Sequence, residues 1–142
     1  MTKALLDTNI LLDYLIEDRK SHVCAIEIFA LAEVGAFRGV ISIQSILDAA
    51  YVYVKKDKAR LRAFQAFIQD LSMTFAITEP DRQSLYLASK HATTDLEDAI
   101  LSACARQNNC AFIVTRDEQF DNPMRIPAIQ PEAFRDSFLK ES

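Results

Sequence analysis

Carboxylates recur at one place in the predicted architecture, the carboxyl ends of its strands. Asp7 ends the first apolar strand, at residues 3–7, and Asp117 lies two residues beyond the end of the fourth strand, at 111–115. Asp48 falls early in the helix that follows the second strand. Three more acids open the helix that leads into the fourth strand: Asp95, Glu97 and Asp98. Because ligands of open α/β sheets bind outside the carboxyl ends of the strands, these four segments should bring their acids together.

Such a group of acids suggests a metal site and a hydrolytic reaction. Like charges held close together are costly unless a cation neutralises them, and one carboxylate would otherwise keep a proton. Ligands that are all oxygen suit Mg²⁺ or Mn²⁺, and no histidine or cysteine pattern accompanies them to favour zinc. A divalent ion among carboxylates activates water and stabilises the charge of a phosphodiester in the transition state. The residues therefore favour metal-assisted hydrolysis of a phosphodiester.

Each acid also has an ordinary structural explanation. Asp7 could simply cap the helix that begins at Asn9, an explanation as good as a catalytic role. Thr94 and Glu97 have the spacing of a capping box, so capping is the preferred explanation for Asp95 and Glu97. Asp98 could be an ordinary surface acid, Asp117 could simply shape its loop, and Asp48 could be a half-exposed residue of its helix. Their shared location, rather than any single residue, carries the prediction.

Strands and helices alternate along the predicted chain. Apolar runs predict strands at residues 3–7, 40–43, 75–77, 111–115 and 126–129. Apolar residues three and four apart predict helices at 9–17, 21–38, 44–56, 58–73 and 94–107, and two more that start at Pro80 and Pro131. The helix at 21–38 should end at Gly39 and bury one apolar stripe: Val23, Ile26, Ala30, Val34 and Phe37.

These elements predict an α/β fold. Short strands that are apolar on both faces are typical of a parallel sheet covered on both sides. The chain shows no internal repeat, linker or low-complexity segment. We therefore expect a single domain over residues 1–142, with a short central parallel sheet of four to five strands flanked by helices on both sides.

Composition excludes several classes of protein. Half of the 142 residues are apolar and a quarter are charged, which is typical of a globular protein in water. The apolar stretches are too short, or too often broken by acids, to serve as a signal peptide or to span a membrane. Three cysteines without a CxxC pair argue against disulfides and zinc and favour a reducing cytoplasm. The net charge of −4 is unusual for a nucleic-acid enzyme, although bound cations would return much of it.

Five segments, in the same order along nearly the whole chain, resemble the motifs of the PIN domain family. Residues 5–13 (LLDTNILLD) are similar to the first motif, and residues 42–51 (SIQSILDAAY) are similar to the second. Residues 95–100 (DLEDAI) resemble the third motif, and residues 113–117 (IVTRD), with Phe120 close behind, resemble the fourth. Residues 131–134 (PEAF) are similar to the closing Pro-Glu-x-Phe of the family. Each motif is short, but the ordered set of five is specific.

The resemblance implies a role for each matching residue. Asp7, Asp98 and Asp117 would hold Mg²⁺ or Mn²⁺ directly or through water, and Asp48 would complete the catalytic cluster of acids. The supporting residues would orient Asp7 or the scissile phosphate, or hold the strand end: Thr8, Asn9 and Thr115.

The resemblance also implies an activity and partners. Family members hydrolyse RNA, leaving a 3′-hydroxyl and a 5′-phosphate. Many small bacterial members are toxins of the virulence-associated protein C type, which are homodimers silenced by an antitoxin protein. We therefore expect a cytoplasmic, metal-dependent endoribonuclease that belongs to a toxin–antitoxin pair and does not bind a membrane.

Two features of the sequence leave alternatives open. The second acid of the family is usually Glu, and the shorter Asp48 favours an alternative, a PIN-like module that binds RNA or protein through an impaired nuclease site. A cluster of cations at a predicted helix junction could bind RNA, or it could simply be a solvated junction. The cluster consists of Lys55, Lys56, Lys58, Arg60 and Arg62, and Arg116, beside the predicted site, is a further candidate for RNA binding.

Overall fold

The computed structural model of the protein describes residues 1–139, and its elements alternate as the sequence predicts. The five strands are β1 (Lys3–Leu6), β2 (Arg38–Ser42), β3 (Ala76–Thr78), β4 (Phe112–Val114) and β5 (Ala128–Ile129). The seven helices are α1 (Thr8–Leu15), α2 (His22–Glu33), α3 (Ile43–Lys56), α4 (Leu61–Thr74), α5 (Arg82–His91), α6 (Leu96–Gln107) and α7 (Pro131–Leu139). A 3₁₀ turn, Lys58–Arg60, joins α3 to α4.

The strands form one parallel sheet in the order β3-β2-β1-β4-β5. Strand β1 lies at the centre, with Leu5 paired to Val40 of β2 and to Ile113 of β4. The chain reverses its direction of winding at β1, because β2 and β3 lie on one side and β4 and β5 on the other. This arrangement creates a crevice at the carboxyl ends of the central strands, where ligands of such sheets bind.

Helices cover both faces of the sheet, as the pattern of the sequence predicts. Ala4, Leu6 and Ile41 point to the larger core, which is filled by α1, α2, α3, α4 and α7. Leu5, Val40 and Ile113 point to the opposite face, where they pack against α6. Helix α5 packs in turn against α6. No helix among residues 1–139 is long and apolar enough to cross a membrane.

Helix α2 differs from its prediction in both its end and its buried face. It ends at Glu33, and Gly35 follows with a positive φ of 78°, a backbone conformation that suits glycine at a helix end. Gly39 instead lies inside β2, where an added Cβ would come within 2.2 Å of the Phe75 ring. Space for that ring, rather than a helix end, explains this glycine.

The apolar stripe predicted for α2 is largely exposed. Val23 is 65% and Val34 is 80% exposed, while the buried face consists of other residues of the same helix: Cys24, Ala25, Ile28, Phe29 and Ala32. Because α2 is apolar on nearly every side, its periodicity does not identify which face enters the core.

Two helix starts also differ from prediction. Helix α5 begins at Arg82 with Asp81 as its cap, rather than at Pro80. Helix α6 is capped by Asp95, whose Oδ1 accepts the backbone N–H of Asp98 at 3.0 Å, and not by Thr94. An Asp-x-x-Asp cap therefore takes the place of the expected Thr-x-x-Glu capping box.

Candidate functional site

A cleft of about 770 Å³ opens at the carboxyl ends of the strands. Carboxylates supplied by the segments after β1, β2, β3 and β4, and by the start of α6, line it: Asp7, Asp48, Glu79, Asp95, Glu97, Asp98 and Asp117. The lining contains no Lys, Arg or His among the residues that the structure describes. Its walls carry apolar side chains: Leu12, Ile43, Val52, Leu85, Ile100 and Leu101. The cleft is therefore strongly negative, and the protein does not neutralise it.

Asp7 is held rigidly at the floor of this cleft. It caps α1, and its Oδ1 accepts the backbone N–H of Thr8 at 2.7 Å. Its Oδ2 accepts the hydroxyl of Thr115 at 2.8 Å, and the Thr115 hydroxyl oxygen accepts the backbone N–H of Asp117 at 3.1 Å. Burial raises the pKa of Asp7, while these hydrogen bonds to Thr115 and Thr8 oppose the rise. The cap and the site role, which the sequence leaves as alternatives, are thus compatible in one residue.

Asp98 lies in the first turn of α6, half-buried beside Asp95. Burial raises its pKa to about 6, against the lowering effect of a hydrogen bond from the backbone of Asp121. The negative charges of Asp95, Asp7 and Asp117 raise it further. The pKa of Asp98 is therefore raised by acids of two other segments, Asp7 after β1 and Asp117 after β4, as well as by Asp95 of its own segment.

Asp48 and Glu97 face each other from α3 and α6. The charge of Asp48 is the largest cause of a raised pKa at Glu97, ahead of burial and of the charges of Asp95 and Asp7. Asp48 itself accepts a hydrogen bond from the side chain of Gln44, one helical turn earlier, at 2.9 Å. The second predicted acid thus lies at the cleft, but its side chain is engaged along its own helix.

The remaining predicted residues divide between the cleft and its surroundings. Thr8 and the exposed Asn9 line the cleft, and the buried Thr115 supports Asp7 from the end of β4. Arg116 is held away from the cleft by an ion pair with the buried Asp13 at 3.1 Å.

The cation cluster at the junction of α3 and α4 is also divided. The Nζ of Lys55 donates to the hydroxyl of Tyr51 at 2.5 Å and lies 4.4 Å from the centre of that ring. Tyr51 lines the cleft, so Lys55 stands at its rim. Arg60 packs over the ring of Tyr53 instead. The other members of the cluster are exposed: Lys56, Lys58 and Arg62.

Asp121 is a buried acid beside the start of α6, and the sequence analysis left it unassigned. It is only 6% exposed, and its carboxylate accepts three backbone N–H groups that precede α6, those of Thr93, Thr94 and Asp95. These hydrogen bonds lower its pKa to about 2. No local sequence signal marks this contact, because its partners lie 26 to 28 residues earlier in the chain.

The donor set of the cleft fits a hard divalent cation. Among residues 1–139, seven carboxylates and no basic group line it, and a cation is the simplest partner for charges that raise each other's pKa. Across residues 1–139, no three Asp, Glu, His or Cys side chains are grouped closely enough to hold an ion by themselves. An ion would therefore also need oxygens of water or substrate, which Mg²⁺ commonly retains.

Comparisons with known proteins agree with this geometry. A sequence model of the PIN domain matches residues 3–119. The fold is similar to that of VapC20 of Mycobacterium tuberculosis, a sarcin–ricin loop cleaving toxin, with a TM-score of 0.67 at 14% identity over 82% of this chain and 92% of that one. VapBC2 of Rickettsia felis, bound to a DNA fragment from its promoter, gives 0.66 at 16% identity over 91% and 98%. A toxin–antitoxin complex from Klebsiella pneumoniae gives 0.63 at 25% identity over 90% and 97%. No curated protein sequence matches the chain.

Proposed function

Since the chain belongs to the PIN domain family, we propose that it is an endoribonuclease that hydrolyses RNA with the help of Mg²⁺ or Mn²⁺. The observation that carries this proposal is the cleft lined by seven carboxylates and, within the described chain, by no basic side chain. A purely structural group of acids would be expected to recruit lysine or arginine partners. No basic side chain of the described lining offsets the charge of these acids, which suits a site that binds a cation.

In this proposal Asp7, Asp98 and Asp117 hold the ion, and Asp48 completes the catalytic cluster. When bound, the ion would supply Lewis-acid stabilisation of the phosphodiester and an activated water. Thr115 keeps the Asp7 carboxylate oriented through the 2.8 Å hydrogen bond and links it to the Asp117 backbone.

Other side chains of the cleft would position the substrate. The ring of Tyr51 and the apolar walls offer surfaces for nucleobases, while Asn9 is exposed at the floor and can hydrogen bond to a phosphate oxygen. Because the protein carries a net charge of −4, RNA must be drawn in by local cations. Lys55, at the rim beside Tyr51, is the best placed of them. Arg116 is a weaker candidate, since Asp13 already engages it.

The biological setting that we propose is a cytoplasmic toxin–antitoxin pair. Three structures with the same fold are a toxin from Mycobacterium tuberculosis, VapBC2 from Rickettsia felis and a toxin–antitoxin complex from Klebsiella pneumoniae. By analogy with them, this chain would be the toxin, held inactive by an antitoxin protein, and the resemblance to the family implies a homodimer. The reading frame next to its gene is the first place to look for the antitoxin.

A second candidate function is a PIN-like module that binds RNA or protein without cutting it. Two observations favour it: Asp48 is engaged by Gln44, and no three potential ligands among residues 1–139 form a ready ion site. The two functions differ in whether the cleft binds a divalent ion.

The deciding experiment is a calorimetric titration of Mn²⁺ into the wild-type protein and the Asp98→Asn variant, followed by RNA cleavage with each. We expect the variant to lose Mn²⁺ binding and to cut RNA about 10²-fold more slowly or worse, since metal stabilisation of the transition state is worth several kcal/mol. Asp18→Asn, an exposed acid outside the cleft, is the matched control. A wild type that binds no Mn²⁺, even with RNA present, would leave the binding module as the better description.

A further inference from the structure

Asp121 is buried, yet all of its hydrogen bonding is directed at the start of α6. Its Oδ2 accepts the backbone N–H groups of Thr93, Thr94 and Asp95 at 2.7, 2.9 and 3.0 Å, and its Oδ1 accepts the Thr93 hydroxyl at 3.1 Å. Four donors converge on one carboxylate. This matches the acceptor capacity of an ionised Asp, whose two oxygens offer about four lone-pair sites.

The segment that Asp121 holds is the one that carries the acids of α6. Asp95 follows directly, caps the helix and accepts the backbone N–H of Asp98. The backbone N–H of Asp121 in turn points at Oδ2 of Asp98, at 3.4 Å. Asp121 therefore contacts Asp95 through its carboxylate and Asp98 through its backbone.

Asp121 itself lies on the loop after β4, four residues beyond Asp117. The same loop is fastened to α6 a second time, because the Ser102 hydroxyl donates to Oδ1 of Asn122 at 2.6 Å and accepts the backbone N–H of Met124 at 3.1 Å. The loop and the helix are thus joined at two levels. Of the two, the Asp121 contact is the nearer to the cleft acids.

We propose that Asp121 is a positioning residue for the nuclease site, a buried anchor that fixes Asp95 and Asp98 on α6 relative to Asp117 on the loop after β4. Asp7 is placed by β1 and by Thr115, but α6 and the loop approach the cleft from different parts of the chain. Their acids share a cleft only if something sets the distance between them. This inference rests on the proposed function, because a distance between acids matters only if they act together.

The charge of Asp121 has a role that differs from those of the cleft acids. This charge is stabilised by hydrogen bonds from three backbone N–H groups at the amino-terminal end of α6, where a negative charge is favourable. Asp121 is also absent from the cleft lining. It therefore orients metal ligands without being one, and outer contacts of this kind typically change metal affinity or activity by about 10- to 100-fold.

The test is a set of three variants of the full-length protein, measured for Mn²⁺ affinity and for the kcat and KM of RNA cleavage. Asp121→Ala removes the anchor, Asp121→Asn keeps its shape but not its charge, and Thr93→Val removes only the hydroxyl contact. We expect Mn²⁺ affinity and kcat to fall together in that order of severity, by about 100-fold in the first variant and about tenfold in the second. KM should stay near the wild-type value, because no contact with RNA is removed.

Asp81→Ala is the matched control, since Asp81 caps α5 by accepting the backbone N–H of Ser84 at 2.8 Å and does not line the cleft. It removes a helix cap of the same kind and should leave Mn²⁺ affinity and kcat unchanged. If it lowers both as much as Asp121→Asn does, general loosening explains the effect and the inference is wrong. Should Asp121→Ala not fold, the other two variants decide.

Amide hydrogen exchange separates this inference from the proposed function. The amides of residues 93–95 should exchange slowly in the wild type and quickly in the Asp121 variants. Unchanged exchange there would refute the anchor whatever the activity. A folded Asp121→Ala variant with wild-type Mn²⁺ affinity and kcat would refute the positioning role, while a wild type that neither binds Mn²⁺ nor cuts RNA would remove the function and this role with it.

Discussion

Two buried aspartates of the first helical segment, Asp7 at the cap of α1 and Asp13 within α1, have opposite surroundings. Asp13 is 1% exposed, and its Oδ1 forms ion pairs with Arg116 at 3.1 Å and Arg19 at 3.5 Å. Asp7 is 7% exposed, and within residues 1–139 its carboxylate receives two hydrogen bonds, from Thr8 and Thr115. Burial raises the pKa of both carboxyl groups. At Asp13 the charges of Arg116 and Arg19 oppose this rise, whereas at Asp7 it is opposed by hydrogen bonds from the neutral groups of Thr115 and Thr8.

The difference separates a carboxylate that serves the fold from one that the fold leaves available. Asp13 is paired with two arginines of the protein, and through Arg116 it ties α1 to the segment after β4. Asp7 lines a cleft with six further acids and, among the described residues, with no basic side chain. Because an uncompensated buried charge is costly, such a position is expected where function requires it rather than where stability does.

The largest effect that we expect is a difference between two variants: Asp7→Asn should lose RNA cleavage, and Asp13→Asn should lose stability. The opposite result would break the comparison. We expect Asp7→Asn to reduce RNA cleavage by about 10²- to 10³-fold, since a metal ligand is lost. Its metal-free stability should be unchanged or higher. Asp13→Asn should instead lower the free energy of unfolding by about 2 kcal/mol, because it breaks a buried ion pair. This value is smaller than for a fully buried pair, since both arginines keep partial contact with water.

Urea unfolding without metal and cleavage per folded molecule measure the two consequences separately. Asp13→Asn should retain most of its cleavage once folded. If Asp13→Asn is inactive while stable, or Asp7→Asn is unstable while active, the assignment of one acid to the fold and the other to the site is wrong.

The sequence predicts that Asp7 and Asp117 lie at the carboxyl edge of the sheet and that Asp98 opens the helix before β4, and all three line the cleft. A parallel strand that ends in an acid places that acid at the carboxyl edge, whatever the details of packing. The alternation of strands and helices is likewise local in the sequence and agrees with the structure. For Asp7, the pattern shows the cap and the site position but not that one residue satisfies both.

What the sequence could not supply depends on contacts between distant segments. The buried face of α2 is set by the helices that it packs against, α1 and α7, since apolar residues occur on nearly every side of α2. Gly39 yields space to Phe75, a residue 36 positions later, and therefore resembles a helix stop when read locally. Asp121 on the loop after β4 meets partners 26 to 28 residues earlier in the chain, and Arg116 pairs with Asp13, 103 residues earlier.

The second and smaller expected effect concerns Asp98, another acid of the cleft whose described lining contains no basic side chain. Its pKa of about 6 lies above the ordinary value of 3.8, so between pH 4 and 6 the folded protein binds more protons than the unfolded chain. The metal-free wild type should therefore lose stability as pH rises through this window, and the stability should stay low above it. Asp98→Asn lacks this penalty and should be about 1–2 kcal/mol more stable than the wild type at pH 7, after allowance for partial exposure.

Chemical denaturation of both proteins from pH 4 to pH 8, with and without Mn²⁺, measures this penalty. The two should be similar near pH 4 and diverge towards pH 7, and Mn²⁺ should stabilise only the wild type. Parallel stability curves would mean that Asp98 is neutralised within the fold as Asp13 is, and the comparison would then fail at this residue.

The smallest expected effect concerns how an acidic cleft attracts a polyanion. Lys55 stands at the rim through its contact with Tyr51, whereas Lys58 is an exposed lysine of the same cluster and is not among the described residues that line the cleft. If Lys55 contacts a phosphate, Lys55→Gln should weaken binding of single-stranded RNA and reduce the slope of log affinity against log salt by about one. Lys58→Gln is the control and should change neither quantity. Fluorescence anisotropy in the Asp98→Asn background, which should cut RNA at least about 10²-fold more slowly than the wild type, gives both quantities. Equal losses in the two variants would show that the cluster attracts RNA only by its summed charge, and the cleft would then have no dedicated cation at its rim.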